Sequence, residues 1–228
     1  MARLPRWSAP GQLHQVLQRG VAGTVIFRDA QDHAAFIDAL RSASADHRVA
    51  IHAYALLPDR IHLLATPHGG DGLSQTMQAA GRRYVQAHNR RHGRGGTLWD
   101  GRFRATVVEA GRHWLACRVY VEGAPVREGL AGDAAAYPWS SAAHHCGLRD
   151  EPWLTSHPLD WNLGNTPFER EMARKLLLET GLPGPVQTAI EQAVDKGWAL
   201  GSPDFLAQLE QQTGRRARPG QAGRPVNR

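Results

Sequence analysis

An α+β fold is the class that this sequence predicts, from three features of the chain. Short runs in which apolar and polar residues alternate predict strands, and longer stretches with apolar residues three and four apart predict amphipathic helices. The alternating run over 48–57 is followed by Pro58 and Asp59 and by a second apolar run, which predicts an antiparallel hairpin. The length of 228 residues suits one domain with a substantial core and a small appendage.

Capping residues mark where several of the helices begin. The side chains of Asp29 and Asp71 can accept backbone hydrogen bonds at a helix start, and Ser202 followed by Pro203 predicts a third start of this kind. In order, the predicted elements are a strand over 13–19, a helix to about 46, strands over 48–57 and 60–65, a helix over about 71–92, an extended stretch over 97–108, a helix over 111–122, and helices over 168–180, 186–196 and 203–213.

Composition divides the chain into three parts. Residues 1–147 contain the strand patterns and are expected to form the main domain, and residues 148–167, rich in Pro, Trp and Asn, are expected to be a linker. Residues 168–228 are expected to form a helical, DNA-binding-like extension with a basic tail. Two short helices joined by a glycine turn allow a helix-turn-helix there, and a plain helical bundle is the alternative.

The basic charge of the chain is concentrated in two segments. Net charge is +6, yet residues 81–104 carry seven arginines against one acid, and residues 214–228 carry five arginines and no acid. This distribution indicates a nucleic-acid footprint, with two solvated basic segments as the alternative. Trp99 among arginines suits stacking on unpaired bases, although core packing explains it equally well. The candidate DNA contacts are Arg82, Arg83, Arg90, Arg91, Arg94, Trp99, Arg102, Arg104, Arg215, Arg216 and Arg224.

Targeting signals and a cysteine framework are missing from the sequence pattern. No apolar run approaches the ~20 residues that span a bilayer, and the first residues have no apolar signal-peptide region. Cys117 and Cys146 provide no disulfide framework. We therefore expect a cytoplasmic protein without a membrane partner.

Two pairs of polar side chains invite a functional interpretation. Arg60 and His62 share one face of an otherwise apolar strand, where an unpaired polar group costs a few kcal/mol. These two side chains therefore need a partner or a function. His88 and His92 lie one helical turn apart and are a possible ligand pair, but their arginine neighbours favour a solvent-exposed face.

A series of short motifs occurs in one order along about residues 5–145. They are Pro10-Gly11, His14, Arg19-Gly20, Ile26-Phe27-Arg28-Asp29, His52-Ala53-Tyr54-Ala55-Leu56-Leu57-Pro58, Leu98-Trp99-Asp100-Gly101-Arg102-Phe103, Arg118-Val119-Tyr120, Pro125-Val126-Arg127, Gly129-Leu130 and Pro138-Trp139-Ser140-Ser141. In this order they resemble the REP-associated tyrosine transposases, a group of HUH-type single-tyrosine transposases. Residues 197–225 also resemble the C-terminal extension common in that group.

The resemblance implies a fold, a partner and a chemistry. The fold is an antiparallel sheet with helices packed on one side, akin to ferredoxin and RNA-recognition architectures. The partner is single-stranded or hairpin-forming repeat DNA, which relatives bind as monomers or as homodimers. In the family a divalent cation, Mg²⁺ or Mn²⁺, polarises the scissile phosphate, and a tyrosine attacks it to form a 5′-phosphotyrosine link. DNA transposition, through strand cleavage and joining, is the implied activity.

The family's site residues transfer only in part. By resemblance Tyr120 is the nucleophile and His62 a metal ligand, whereas Arg60 replaces the first histidine and Ala124 the third ligand. Arginine offers only donors and cannot ligate a cation, so Arg60 is instead a possible phosphate stabiliser. Glu122 is a weak substitute ligand, since it lies about 200° around the helix from Tyr120. The alternative is therefore a catalytically degraded relative that only binds DNA hairpins.

Overall fold

A four-stranded antiparallel sheet forms the centre of the structure, a computed structural model that describes residues 8–219. The strands are β1 (Leu13–Arg19), β2 (Val49–Leu57), β3 (Arg60–Pro67) and β4 (Arg104–Val108). They are ordered β2-β3-β1-β4, and every adjacent pair is antiparallel. The predicted hairpin of β2 and β3, turning at Pro58 and Asp59, is confirmed.

Eight α-helices accompany the sheet within the described residues. As predicted, Asp29 caps the first helix, accepting hydrogen bonds from the backbone N–H groups of Gln31 and Asp32. No helix in residues 8–219 is long and apolar enough to cross a membrane. The helices are α1 (Ala30–Asp46), α2 (Gly72–His92), α3 (Ala110–Glu122), α4 (Ala124–Arg127), α5 (Ala142–His145), α6 (Pro167–Thr180), α7 (Gly184–Lys196) and α8 (Pro203–Thr213).

Helices cover both faces of the sheet. Ile61 and Leu63 of β3 pack in one apolar cluster with residues of α1 and α2. Leu64 of the same strand points the other way and packs in a second cluster with Trp114 of α3 and Ile190 of α7. The α+β class and the antiparallel sheet are confirmed. The resemblance predicts helices on one side of the sheet, whereas the structure has helices on both sides, because the strands carry apolar side chains on both faces.

Both edges of the sheet are covered by other parts of the chain. Along β2, the backbone N–H of Leu56 donates to the carbonyl of Trp139 at 2.9 Å. Along β4, the N–H of Leu200 donates to the carbonyl of Val107 at 2.8 Å, and the N–H of Glu109 donates to the carbonyl of Leu200 at 2.8 Å. Short bridging segments therefore satisfy backbone groups that an open edge strand would expose.

The C-terminal third of the chain packs against the sheet domain. Residues 148–167, predicted to be a linker, contain Asp160, which is buried and pairs with Arg118 of α3 at 2.6 Å. Helix α7 packs on β1, β4 and α3. This packing places α7, from the predicted extension, beside the residues of the candidate site. Arg224 of the predicted footprint lies outside the described residues.

Candidate functional site

Arg60, His62 and Tyr120 meet in one cleft of about 340 Å³. Pairing of β1 with β3 sets Leu17 opposite His62 and Arg19 opposite Arg60, so these side chains share the face that α3 and α7 cover. Tyr120 enters from α3. The cleft is completed by Arg127 of α4, by the C-cap residue Glu128, and by four residues of α7, which are Gln187, Glu191, Val194 and Asp195.

Tyr120 is held between an imidazole and a guanidinium. Its ring contacts the ring of His62 edge to face, with centroids 5.7 Å apart. The guanidinium carbon of Arg127 lies 4.1 Å from the centre of the tyrosine ring. Burial raises the pKa of Tyr120, and the charge and side-chain hydrogen bond of Arg127 partly offset that rise. The phenol is therefore protonated at neutral pH, with a cation beside it that favours the phenolate.

His62 is a neutral imidazole in a basic surrounding. Burial first, and then the charges of Arg127, Arg60 and Arg19, together lower the pKa of His62 to about 3. Within residues 8–219 its Nδ1 atom has no hydrogen-bond partner. A neutral imidazole can accept a proton or ligate a metal, but three nearby guanidinium groups oppose the arrival of any cation.

Arg60 is engaged by two carboxylates. Its Nε and Nη2 atoms donate to the two oxygens of Asp59 at 2.9 and 3.0 Å, and its Nη1 donates to Glu128 at 3.1 Å. The carboxylates keep the guanidinium at the mouth of the cleft and neutralise part of its charge. A phosphate that contacts Arg60 therefore competes with Glu128 for the same donor.

An acidic side chain of α7 also faces these arginines. Asp195 accepts hydrogen bonds from Arg19 and from Arg104, each at 3.0 Å. Sequence reasoning did not assign a role to Arg19, Arg127 or Asp195. Arg19 and Arg127 lie within the quoted motifs and could have been found there, whereas Asp195 becomes relevant only through the packing of α7 on the sheet.

The residues around His62 do not fit a divalent cation. Ala124, at the position of the third ligand, has no side-chain atom that can bind a metal, and the guanidinium of Arg60 cannot ligate a cation. Glu122 points elsewhere: its carboxylate accepts a hydrogen bond from Ser141 at 2.6 Å and pairs with His145. Within the described residues, no three ligand-type side chains gather at His62. The described lining of the cleft therefore offers His62 alone as a ligand at the family's metal position.

The predicted DNA-contacting residues fall into distinct environments. Arg82, Trp99 and Arg102 line a groove of about 670 Å³ between α2 and the segment that precedes β4. Arg83 is paired with Asp46, and Arg91 with Asp29 and Asp32, so these two link α2 to α1 and its N-cap. The others lie apart from the groove lining: Arg90, Arg104 and Arg216 are exposed, and Arg94 and Arg215 are half-buried.

The two histidines of α2 do not lie on the solvent-exposed face that their arginine neighbours predict. His88 is only 1% exposed, and His92 lies partly covered beside Asp32. The sequence pattern misses this because His92 meets Asp32 of α1, which lies 60 positions earlier in the chain.

Comparison with known proteins gives a likeness in structure without a match in sequence. No protein-family model matches the chain, and neither does any curated protein. A solved REP-associated tyrosine transposase bound to a REP hairpin aligns at 16% identity with a TM-score of 0.54, over 69% of this chain and 99% of that one. A putative transposase from Deinococcus radiodurans R1 aligns at 22% identity over 57% of this chain and 98% of that one, with a TM-score of 0.34. The first alignment shows a shared fold.

Proposed function

We propose that this chain is a REP-associated tyrosine transposase-like protein that binds single-stranded or hairpin-forming repeat DNA. The observation that carries the proposal is the cleft in which Tyr120, His62 and Arg60 meet. The motif resemblance assigns these three positions to the nucleophile and the two histidines of a single-tyrosine site. The fold shared with a REP-associated tyrosine transposase supports the same assignment.

Charge in and near the cleft supports a phosphate-bearing ligand. Arg19, Arg60 and Arg127 line the cleft. Arg104 lies beside it, because Asp195 accepts hydrogen bonds from both Arg19 and Arg104. These arginines can bind phosphate oxygens bidentately, in competition with the carboxylates of Glu128, Glu191 and Asp195 that line the same cleft. On the other face of the sheet, the groove of Arg82, Trp99 and Arg102 combines cations with an aromatic ring, a combination that suits an unpaired strand.

Binding without efficient strand cleavage is the function that this geometry supports best. Among residues 8–219, neither a second histidine nor a third ligand accompanies His62, and three arginines lie around it. The Tyr120 phenol is also buried and protonated. We therefore propose a degraded relative that retains the DNA-binding frame of the family.

Strand cleavage by Tyr120 is the second candidate, and the Arg127 contact favours it. In that reaction the phenol oxygen bonds to phosphorus, the P–O3′ bond breaks, and a free 3′-hydroxyl leaves as the 5′-phosphotyrosine forms. Arg127 stabilises negative charge on the phenol oxygen, and neutral His62 relays the phenol proton to the leaving 3′-oxygen. Arg60 is the proposed electrophilic contact to the phosphate in this scheme.

An adduct assay separates the two candidates. The full chain is incubated with a labelled single-stranded oligonucleotide containing a hairpin, with Mg²⁺, with Mn²⁺ or with chelator, and then denatured. We expect hairpin binding by anisotropy and no denaturation-resistant adduct. A Tyr120-dependent adduct, absent in Tyr120→Phe, would replace the binding-only proposal with the second candidate. Equal affinity for the hairpin and for an unrelated blunt duplex would contradict both.

A further inference from the structure

Three ligand-type side chains converge between α1 and α2, on the face of the sheet opposite to the Tyr120 cleft. They are Asp32, in the first turn of α1, and His88 and His92, one turn apart near the end of α2. One potential ligand atom from each lies within 4.8 Å of the others. Histidines at positions i and i+4 project from the same side of a helix, so this face of α2 presents both rings to Asp32.

His88 is the member of this cluster that lacks a partner. It is 1% exposed, and in the described part of the chain neither of its ring nitrogens has a hydrogen-bond partner. The nearest carboxylate oxygen, Oδ2 of Asp32, is 3.9 Å from its Nε2 atom. Burying an unsatisfied polar group costs a few kcal/mol, so a buried imidazole in this position calls for a ligand.

The spacing of the donors suits a small tetrahedral cation. With Zn–N and Zn–O bonds of about 2.0–2.1 Å, ligand atoms around zinc lie about 3.3 Å from one another. The Nε2 atom of His92 is 3.0 Å from Asp32, and that of His88 is 3.9 Å from it, so the observed distances bracket this value.

The hydrogen-bond partners of the Asp32 carboxylate leave it able to bind a metal. Oδ1 of Asp32 accepts a hydrogen bond from Arg91 at 2.6 Å, and Oδ2 accepts one from the backbone N–H of Arg28 at 2.9 Å. A carboxylate offers about four lone-pair sites, and those that now face Nε2 of His92 would face the metal instead. Arg91 also pairs with Asp29, which places a second negative charge against its guanidinium. These hydrogen bonds fix the orientation of the Asp32 carboxylate, as outer partners of metal ligands do.

We infer that Asp32, His88 and His92 form a binding site for a transition-metal dication of the Zn²⁺ type. Two imidazoles and one carboxylate suit zinc and its neighbours, whereas Mg²⁺ prefers oxygen ligands alone. His92 is the partly exposed member, so the fourth position opens to solvent at its side. The ion would join the start of α1 to the end of α2, and this inference does not depend on the proposed DNA function.

Zinc binding to the untagged full chain tests the inference. After metal is stripped with chelator, Zn²⁺ is titrated against a chromogenic competitor. We expect one tight equivalent for the wild type and at least tenfold weaker binding for His92→Gln, with His88→Gln as a second variant. His68→Gln, an exposed histidine in a loop, is the matched control and should bind as the wild type does. Zn²⁺ at about one hundred times its Kd should raise Tm by roughly 5 °C or more, and Mg²⁺ should not.

Two spectroscopic readouts identify the ligands without relying on a substitution. Co²⁺ in place of Zn²⁺ should give visible d–d bands and no sulfur charge-transfer band, which distinguishes this site from Cys117 or Cys146. Added Zn²⁺ should shift the ring ¹⁵N resonances of His88 and His92 and leave those of His68 unchanged. Unshifted ring nitrogens, a sulfur band, or wild-type zinc affinity in both histidine variants would overturn the inference.

Discussion

The guanidinium of Arg127 lies over the ring of Tyr120, with its central carbon 4.1 Å from the ring centre. Desolvation lowers the pKa of Arg127 itself, while the nearby Tyr120 and Glu191 oppose that shift. A positive charge within about 4–6 Å of a titratable group favours the negatively charged form of that group. Ionisation of Tyr120 therefore depends on α4 as well as on its own helix.

Replacing Arg127 should make Tyr120 harder to ionise. Arg127 lowers the pKa of the phenol by charge and by hydrogen bonding, so Arg127→Gln should raise that pKa further. NMR of ¹³C-labelled tyrosine across alkaline pH, with the Tyr120 signal assigned from Tyr120→Phe, measures the shift. Arg112→Gln, an exposed arginine on the same helix as Tyr120, should leave the signal unchanged. An equal effect of both substitutions would show that Arg127 has no specific influence.

Stability should fall as the pH drops below about 6.5. Burial lowers the pKa of His14 and His52 to about 4 and that of His62 to about 3. The unfolded chain therefore takes up protons first, and folding free energy is lost between pH 6.5 and these folded values. Each such histidine contributes a slope of about 1.4 kcal/mol per pH unit within this window.

Urea unfolding at several pH values between 7 and 5 tests this dependence. His62→Gln should reduce the pH dependence of the unfolding free energy by the contribution of one histidine, whatever its effect on stability at pH 7. His68→Gln alters an exposed histidine and should retain the wild-type slope. An unchanged slope in His62→Gln would contradict the neutral, buried state assigned to His62.

Two adjacent arginines of α2 should differ in their effect on DNA binding. Arg82 lines the groove with Trp99 and has no ion pair within residues 8–219. Arg83 instead donates to Ser42 at 2.7 Å and pairs with Asp46 at 3.4 Å. Arg82→Gln should weaken hairpin binding and reduce the slope of log K against log salt by about 0.7 to 1. Arg83→Gln should change that slope less, and the reverse order would place the DNA elsewhere.

Removing the charge of Asp195 should strengthen DNA binding. Its carboxylate holds Arg19 and Arg104, both of which a phosphate would otherwise contact. Asp195→Asn should raise hairpin affinity about fivefold. The carboxylate would no longer compete with a phosphate for these two arginines, a difference of roughly 1 kcal/mol at the protein surface. Asp204→Asn makes the same charge change at an exposed position on α8 and serves as the control in the anisotropy titration. Equal gains would indicate only a net-charge effect.

Asp160 should be important for stability. It accepts hydrogen bonds from Trp114 at 3.0 Å and from Arg118 at 2.6 Å, and Arg174 lies 3.3 Å from its other oxygen. Asp160→Asn removes the nearest carboxylate from buried Arg118 and half-buried Arg174, which costs about 3–5 kcal/mol. Urea unfolding measures the loss, and Asp150→Asn, at an exposed position, should be nearly neutral. A loss below 1 kcal/mol in Asp160→Asn would contradict a structural role for the pair.

Local patterns in the sequence predicted the elements well. The caps at Asp29 and Ser202 and the alternation of β3 are encoded by neighbouring residues, so the start of α1 and the shared face of Arg60 and His62 could be predicted. The regular geometry of a helix was also enough to place Glu122 and Tyr120 on different sides of α3.

Long-range pairing explains what the sequence did not predict. Asp160 is buried because Arg118, 42 residues earlier, neutralises it, and no local pattern in residues 148–167 indicates that partner. In the same way, Asp195 reaches Arg19 across 176 residues. The arginines of α2 predicted a single DNA-binding surface. In the structure, acids on α1 and at its N-cap pair with Arg83 and Arg91, whereas Arg82 lines the groove.

The bridging segments along the sheet edges also limit how two copies of this chain can associate. Trp139 occupies backbone groups of β2, and Leu200 occupies those of β4, so neither outer strand offers a free ladder to a second molecule. A homodimer, expected from the family resemblance, would therefore have to join through helix surfaces or loops rather than by extending the sheet. The same coverage protects the folded chain against edge-to-edge aggregation.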